Sequence, residues 1–161
     1  LFENNIPLVS LENTMALMFR DEVGKYTEPF KGRVLTIAEF IYKYSDKLNG
    51  INLSGKYKLL PHCTEQAIHP EEAIHWKNIY TSLGADLEVK NLGCCGMAGN
   101  YGYQSENTER SRGLFDLNWE ESVSNIDKQA LATGFSCRSQ AKKQVNVTIL
   151  HPLEILASNI K

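Results

Sequence analysis

The stretch Asn91–Gln104 reads NLGCCGMAGNYGYQ and places two adjacent cysteines among glycines spaced by three: Gly93, Gly96, Gly99 and Gly102. Cys63 and Cys137 bring the cysteine total to four. A disulfide between neighbours Cys94 and Cys95 would close a small strained ring. The chemistry that uses clustered thiols is metal ligation or redox exchange, with thiolate as the active form. Four thiolates are the usual donor set of an iron-sulfur cluster and one donor set of structural zinc. The glycines suit either ligand. They let a backbone approach closely and adopt φ > 0, and their N–H groups can form a nest for an anionic sulfur.

Each cysteine alone has a simpler reading, as a small buried hydrophobe. It is the placement of all four that favours ligation. Strands are predicted at Ile6–Ser10, Lys56–Pro61, Asp86–Leu92, Ala130–Ser136 and Val145–Leu150. Helices are predicted at Glu12–Val23, Arg33–Leu48, Pro70–Leu83, Glu106–Ile126 (in one or two pieces) and Pro152–Ser158, with a loop at Tyr26–Gly32. Strand-helix alternation implies an α/β fold: an open, mostly parallel sheet with helices on both faces. Cys63, Cys94, Cys95 and Cys137 then all fall at carboxyl ends of strands. In such sheets those ends share one edge, where ligands bind. Helix starts beside them would favour thiolate over thiol.

Other groups are weaker candidates. His62 is the one histidine placed to act as an extra ligand or proton donor, although a loop hydrogen bond explains it as well. His69-Pro70 and His151-Pro152 each precede a helix, which suits a cap or turn, and His75 falls mid-helix. Tyr101, Tyr103, Phe115 and Trp119 read as core, and Lys142-Lys143 as a solvated face. The glycine loop matches neither phosphate-binding pattern, G-x-x-x-x-G-K-[ST] or G-x-G-x-x-G.

The 161 residues carry a net charge of −2 with both signs interspersed, which leaves no basic footprint for nucleic acid. No run approaches the ~18 apolar residues of a membrane span, and no secretory leader is visible. The absence of a leader argues for a reducing compartment, where four cysteines are not needed as disulfide staples.

The arrangement Cys63…Cys94-Cys95-Gly96…Cys137 resembles the cysteine-rich CCG domain. That domain occurs in the cysteine-rich subunit of heterodisulfide reductase, in the iron-sulfur subunit of glycolate oxidase, in lactate-utilisation proteins and at the C-terminal end of FAD-linked oxidases acting on D-2-hydroxy acids. The segments HCTEQA (62–67), LGCCGMAGNYGY (92–103), TGFSCRSQ (133–140) and HPLEIL (151–156) are most similar to those fused oxidases, of the D-lactate and D-2-hydroxyglutarate dehydrogenase type. The resemblance implies one CCG-type domain over 1–161, with 54–161 a CCG repeat and 1–53 the tail of a degenerate preceding repeat. With Leu1-Phe2-Glu3 in place of an initiator Met, the expectation is a C-terminal piece of a longer protein.

The resemblance also implies a function. Cys63, Cys94, Cys95 and Cys137 would hold a [4Fe-4S] cluster or, alternatively, a zinc ion in a docking module. FAD would sit in another domain of the same polypeptide, and the cluster would pass electrons from it to an acceptor. A thiol-disulfide role for Cys94-Cys95 is a third reading. The expected location is cytoplasmic, peripheral to the inner face of the membrane through partners, and the isolated piece would not be catalytic. One departure is plain. The family's final motif is C-x-x-C, whereas here it is Cys137-Arg138-Ser139-Gln140.

Overall fold

Leu8, Val9 and Ser10 pair in parallel with Val34, Leu35 and Thr36, which makes strands β1 (Leu8–Ser10) and β2 (Val34–Thr36) a two-stranded sheet. The computed structural model describes residues 6–26, 34–48, 50–125 and 127–160. Its chain forms two compact units, Leu1–Asn49 and Gly50–Lys161. The expected loop at 26–32 lies, apart from Tyr26, outside the described residues, as do Arg33 and Ile126, the outer ends of two predicted helices.

In the first unit, α1 (Asn13–Asp21) connects the strands and buries Ala16 and Leu17. Its Arg20 donates through Nε and Nη2 to the Val34 carbonyl, at 2.8 and 2.6 Å, and pairs with Glu39. The helix expected from residue 33 instead begins at α2 (Ile37–Lys43). Val34–Thr36 is strand because its residues are β-formers and because Thr36 caps α2. Thr36 Oγ1 accepts from Glu39 N at 3.1 Å, and Glu39 Oε2 accepts from Thr36 N at 2.9 Å. Such a reciprocal box fixes the first helical turn.

The second unit is built on three parallel strands, β3 (Lys56–Leu60), β4 (Asp86–Val89) and β5 (Gln129–Ala132), in the order β4-β3-β5. Leu150 adds a single parallel bridge to Leu131 on the far side of β5. The carboxyl ends of β3 and β5 are covered on both faces: Leu59, Leu60, Leu131 and Ala132 have no exposed surface. Helices flank this sheet, in keeping with the α/β reading. They are α3 (Cys63–Ile68), α4 (Glu71–Ser82), α5 (Thr108–Asn118), α6 (Glu120–Ser124), α7 (Phe135–Val145) and α8 (Pro152–Ser158).

Two predicted strands are corrected. The strand placed at 130–136 ends at Ala132, and Phe135 opens α7, so Cys137 lies in a helix's first turn instead of at a strand's last residue. The strand placed at 145–150 reduces to the Leu150 bridge, because α7 runs through Val145 and stops at Asn146, which takes a left-handed φ of 56°. Among the described residues, no helix is long and apolar enough to cross a membrane.

Candidate metal centre

Chain order and spatial order disagree at one place in the sheet. The chain leaves β3 for β4 on one side, then crosses to β5 and Leu150 on the other. Adjacent strands whose connections diverge open a crevice at their carboxyl ends. Cys63, the first residue of α3, follows β3, and Cys137, third in α7, follows β5. The loop after β4 supplies Cys94 and Cys95.

Close contacts knit the crevice together. His62 N donates to Thr133 Oγ1 at 3.0 Å, and Thr133 Oγ1 donates to the buried Glu65 at 2.6 Å. These two bonds tie the ends of β3 and β5. Gly134 has no room for a side chain, since a Cβ would stand 2.4 Å from His62 Cδ2 and 3.1 Å from Cys137 Sγ. His62 itself is the N-cap of α3. Its Nδ1 accepts from Thr64 N at 3.2 Å and its Nε2 lies 3.4 Å from Ser136 Oγ. Burial lowers its pKa, so the ring is neutral and serves as a cap.

The Cys94–Cys95 loop is held from the α5 side. Trp119 Nε1 donates to the Gly93 carbonyl at 2.9 Å, and Asn118 Nδ2 to the Cys94 carbonyl at 3.2 Å. Gly96 turns with φ +87° and presses on Ser111, where a Cβ would sit 2.2 Å from the carbonyl oxygen. Only glycine combines that φ with that approach. Gly96 N then points at Cys94 Sγ, 3.4 Å away. Gln66 Nε2 reaches from α3 to the Leu92 carbonyl at 3.1 Å.

All four predicted thiols thus come together, and all four are free of disulfides. Cys95 and Cys137 are buried within the core formed by Leu60, Met97, Phe115, Trp119 and Ala141, whereas Cys63 and Cys94 are half-buried. The thiols perturb one another. A hydrogen bond from Cys137, helped by the Met97 N–H, draws the Cys95 pKa down to about 7. Cys137 is pushed far above the usual thiol range by holding that shared proton, by burial and by the neighbouring sulfurs. Burial raises Cys63, and the Cys94 and Cys95 sulfurs raise it further. Crowded thiolates repel one another, and a multivalent cation relieves that repulsion. The donor set therefore fits an iron-sulfur cluster or a zinc ion.

Two predicted roles change. Tyr103 is 60% exposed and so does not belong to the core that buries Phe115 and Trp119. Lys143 is more than a solvated charge, since its Nζ donates to the Gly102 carbonyl at 2.6 Å and lies 5.8 Å over the Tyr103 ring. Sequence reasoning missed Asn118, Thr133, Ser111 and Gly134 as parts of the site. Only Gly134 left a trace, in the turn T-G-F-S ahead of Cys137.

Fold and site define a parallel α/β domain with a thiol-lined crevice at its switch point. The chain is 34% identical over 171 aligned residues to the D-2-hydroxyglutarate dehydrogenase of Haemophilus influenzae, an alignment covering 97% of this chain and 16% of that protein. It is 37% identical over 155 residues to the enzyme of that name from Pantoea ananatis (94% and 15% covered) and 33% over 160 residues to that of Escherichia coli (97% and 16%). The chain spans only 15–16% of the length of these curated relatives. No family model matches it, and no solved structure matches it.

Proposed function

We propose that this chain is an iron-sulfur electron-transfer domain of an FAD-linked 2-hydroxy acid dehydrogenase, with residues 54–161 a CCG repeat. The observation that carries the reading is the convergence of Cys63, Cys94, Cys95 and Cys137 from three strand ends into one crevice. A redox group is favoured over zinc because the similar proteins are dehydrogenases and zinc carries no electrons. When bound, a cluster accepts and releases single electrons, the units into which a flavin's two-electron oxidation must be divided.

The chain's own residues have separable tasks. The four thiols bind. The Gly96 N–H and the first turns of α3 and α7 face sulfur with positive dipole ends, which stabilises thiolate. The core around Cys95 and Cys137 excludes water from one side of the crevice. The half-buried Cys63 and Cys94 leave the other side open to donor and acceptor. The flavin domain of the same polypeptide and a separate electron acceptor are the partners this reading requires.

The test is anaerobic reconstitution of the chain with iron and sulfide. Iron and sulfide both retained after desalting, with broad absorbance near ~400 nm and an EPR signal on reduction, support the reading. Zinc without sulfide would support the docking-module alternative. No metal, together with Cys→Ser changes that leave the parent dehydrogenase fully active, would overturn it.

A further inference from the structure

Gln140 is wholly buried, and its amide is only half satisfied. Nε2 donates to Ser111 Oγ at 2.8 Å and to the Ser111 carbonyl at 3.3 Å. A carbonyl can only accept, so the NH2 end must face Ser111 and the amide cannot be flipped. Gln140 Oε1 is left buried with no donor among the described residues. Leaving a buried acceptor unmet costs about 1–3 kcal/mol, and such a group calls for an explanation.

Its position supplies one. Cys137, Gln140 and Lys143 follow one another at helical spacing and form a stripe along α7. Each meets the cysteine loop or its support: Cys137 meets Cys95, Gln140 meets Ser111, and Lys143 meets the Gly102 carbonyl. The Ser111 carbonyl that Gln140 grips is also the atom against which Gly96, next to Cys95, is pressed. Helical side chains lean toward the helix N-terminus, so the Gln140 amide lies over the turn that carries Cys137. Gln140 thus stands one turn after Cys137 and grips the same Ser111 carbonyl that packs against the residue following Cys95.

We propose that Gln140 Oε1 is an oxygen donor to the group the four thiols hold, so that the site offers four sulfurs and one carboxamide oxygen. This rests on the metal-binding reading above. Five donors exceed what one tetrahedral zinc takes and suit a group with several metal positions, one of them bound to a harder ligand than sulfur. No proton or electron need move for this ligation, because a neutral amide donates a lone pair.

The experiment reconstitutes the chain with 57Fe and sulfide and records Mössbauer and EPR spectra. Wild type should show one iron position with a larger isomer shift than the all-sulfur positions. Gln140→Met should lose that position and move the EPR signal while retaining iron. Gln140→Glu, which keeps an oxygen, should retain it and lower the midpoint potential. Spectra of Gln140→Met identical to wild type would overturn the proposal while leaving the thiol site standing. Wild-type chain that takes up no iron would overturn both readings. If Gln140→Met fails to fold, Gln140→Glu decides: loss of the distinct iron position there also overturns the proposal.

Discussion

Cys137, in the first turn of α7, and Cys95, in the loop after β4, stand close enough that each sulfur shifts the other's titration in opposite directions, Cys95 downward and Cys137 upward. Two buried sulfurs that favour a single proton between them would release it when a metal ion binds both.

The metal-free, reduced chain should therefore contain a thiolate at neutral pH. Ultraviolet thiolate absorbance should rise with a midpoint near the Cys95 value of about 7, below the ordinary thiol range of ~8.5. In Cys137→Ala the donating group is lost, so the midpoint should move upward. A midpoint unchanged by the substitution would mean that the two sulfurs are not coupled.

The four thiols should be equivalent in iron content but not in stability. Any Cys→Ser change should reduce retained iron. Cys95→Ser and Cys137→Ser put a hydroxyl into the hydrophobic core and should also lower unfolding free energy by about 1–3 kcal/mol. Cys63→Ser and Cys94→Ser, at half-buried positions, should fall within ~0.5 kcal/mol of wild type. Urea denaturation of the metal-free variants makes the comparison.

Two glycines of the loop should respond differently to alanine. Gly99 has φ +64° with open space around its Cβ position, so Gly99→Ala should cost only the left-handed strain of about 1–2 kcal/mol. Gly96→Ala adds a 2.2 Å collision with the Ser111 carbonyl. It should cost clearly more and should also lower iron retention. Equal losses for the two would show that the Gly96–Ser111 contact does not shape the loop.

Acid should weaken the second unit through His151. Burial, with a smaller push from Arg138, lowers its pKa to about 4, whereas the unfolded chain titrates near 6.5. The folded value is the depressed one, so protonation favours the unfolded chain. The neutral ring's contribution is complete above pH ~6.5 and is lost as pH falls toward 4, on the order of 3 kcal/mol across that window. His151→Asn, which keeps a capping side chain for α8, should flatten this part of the stability–pH curve. Parallel curves for the two proteins would exclude His151 as the cause.

How far the sequence discloses this molecule depends on which residues do the burying. Strands β3 and β4 were legible because KYKLL and DLEV are short apolar or alternating runs closed by turn residues. Pro152–Ser158 was legible from its proline start and His151 cap. The first turns of α7 were not, because its buried face is Cys137, Gln140 and Ala141, a set with no hydrophobic stripe to give the 3.6-residue period. β2 was hidden for the opposite reason, since Val34 falls in phase with Ile37, Ala38 and Ile41 and extends their helical pattern backward. The thiols could be grouped from sequence because strand ends converge by topology. Asn118, Thr133 and Ser111 could not, because their part is set by contacts between segments far apart in the chain.

The fastenings of the Cys94–Cys95 loop have a consequence for how such a domain is matured and maintained. Trp119 and Asn118 grip the carbonyls of Gly93 and Cys94, and Gln66 grips that of Leu92. None of these bonds involves sulfur. The loop backbone is therefore held by contacts that do not depend on the state of the thiols, and a group taken up under the proposed reading would meet a loop already in place. Its removal would leave the Leu92, Gly93 and Cys94 carbonyls fastened as they are.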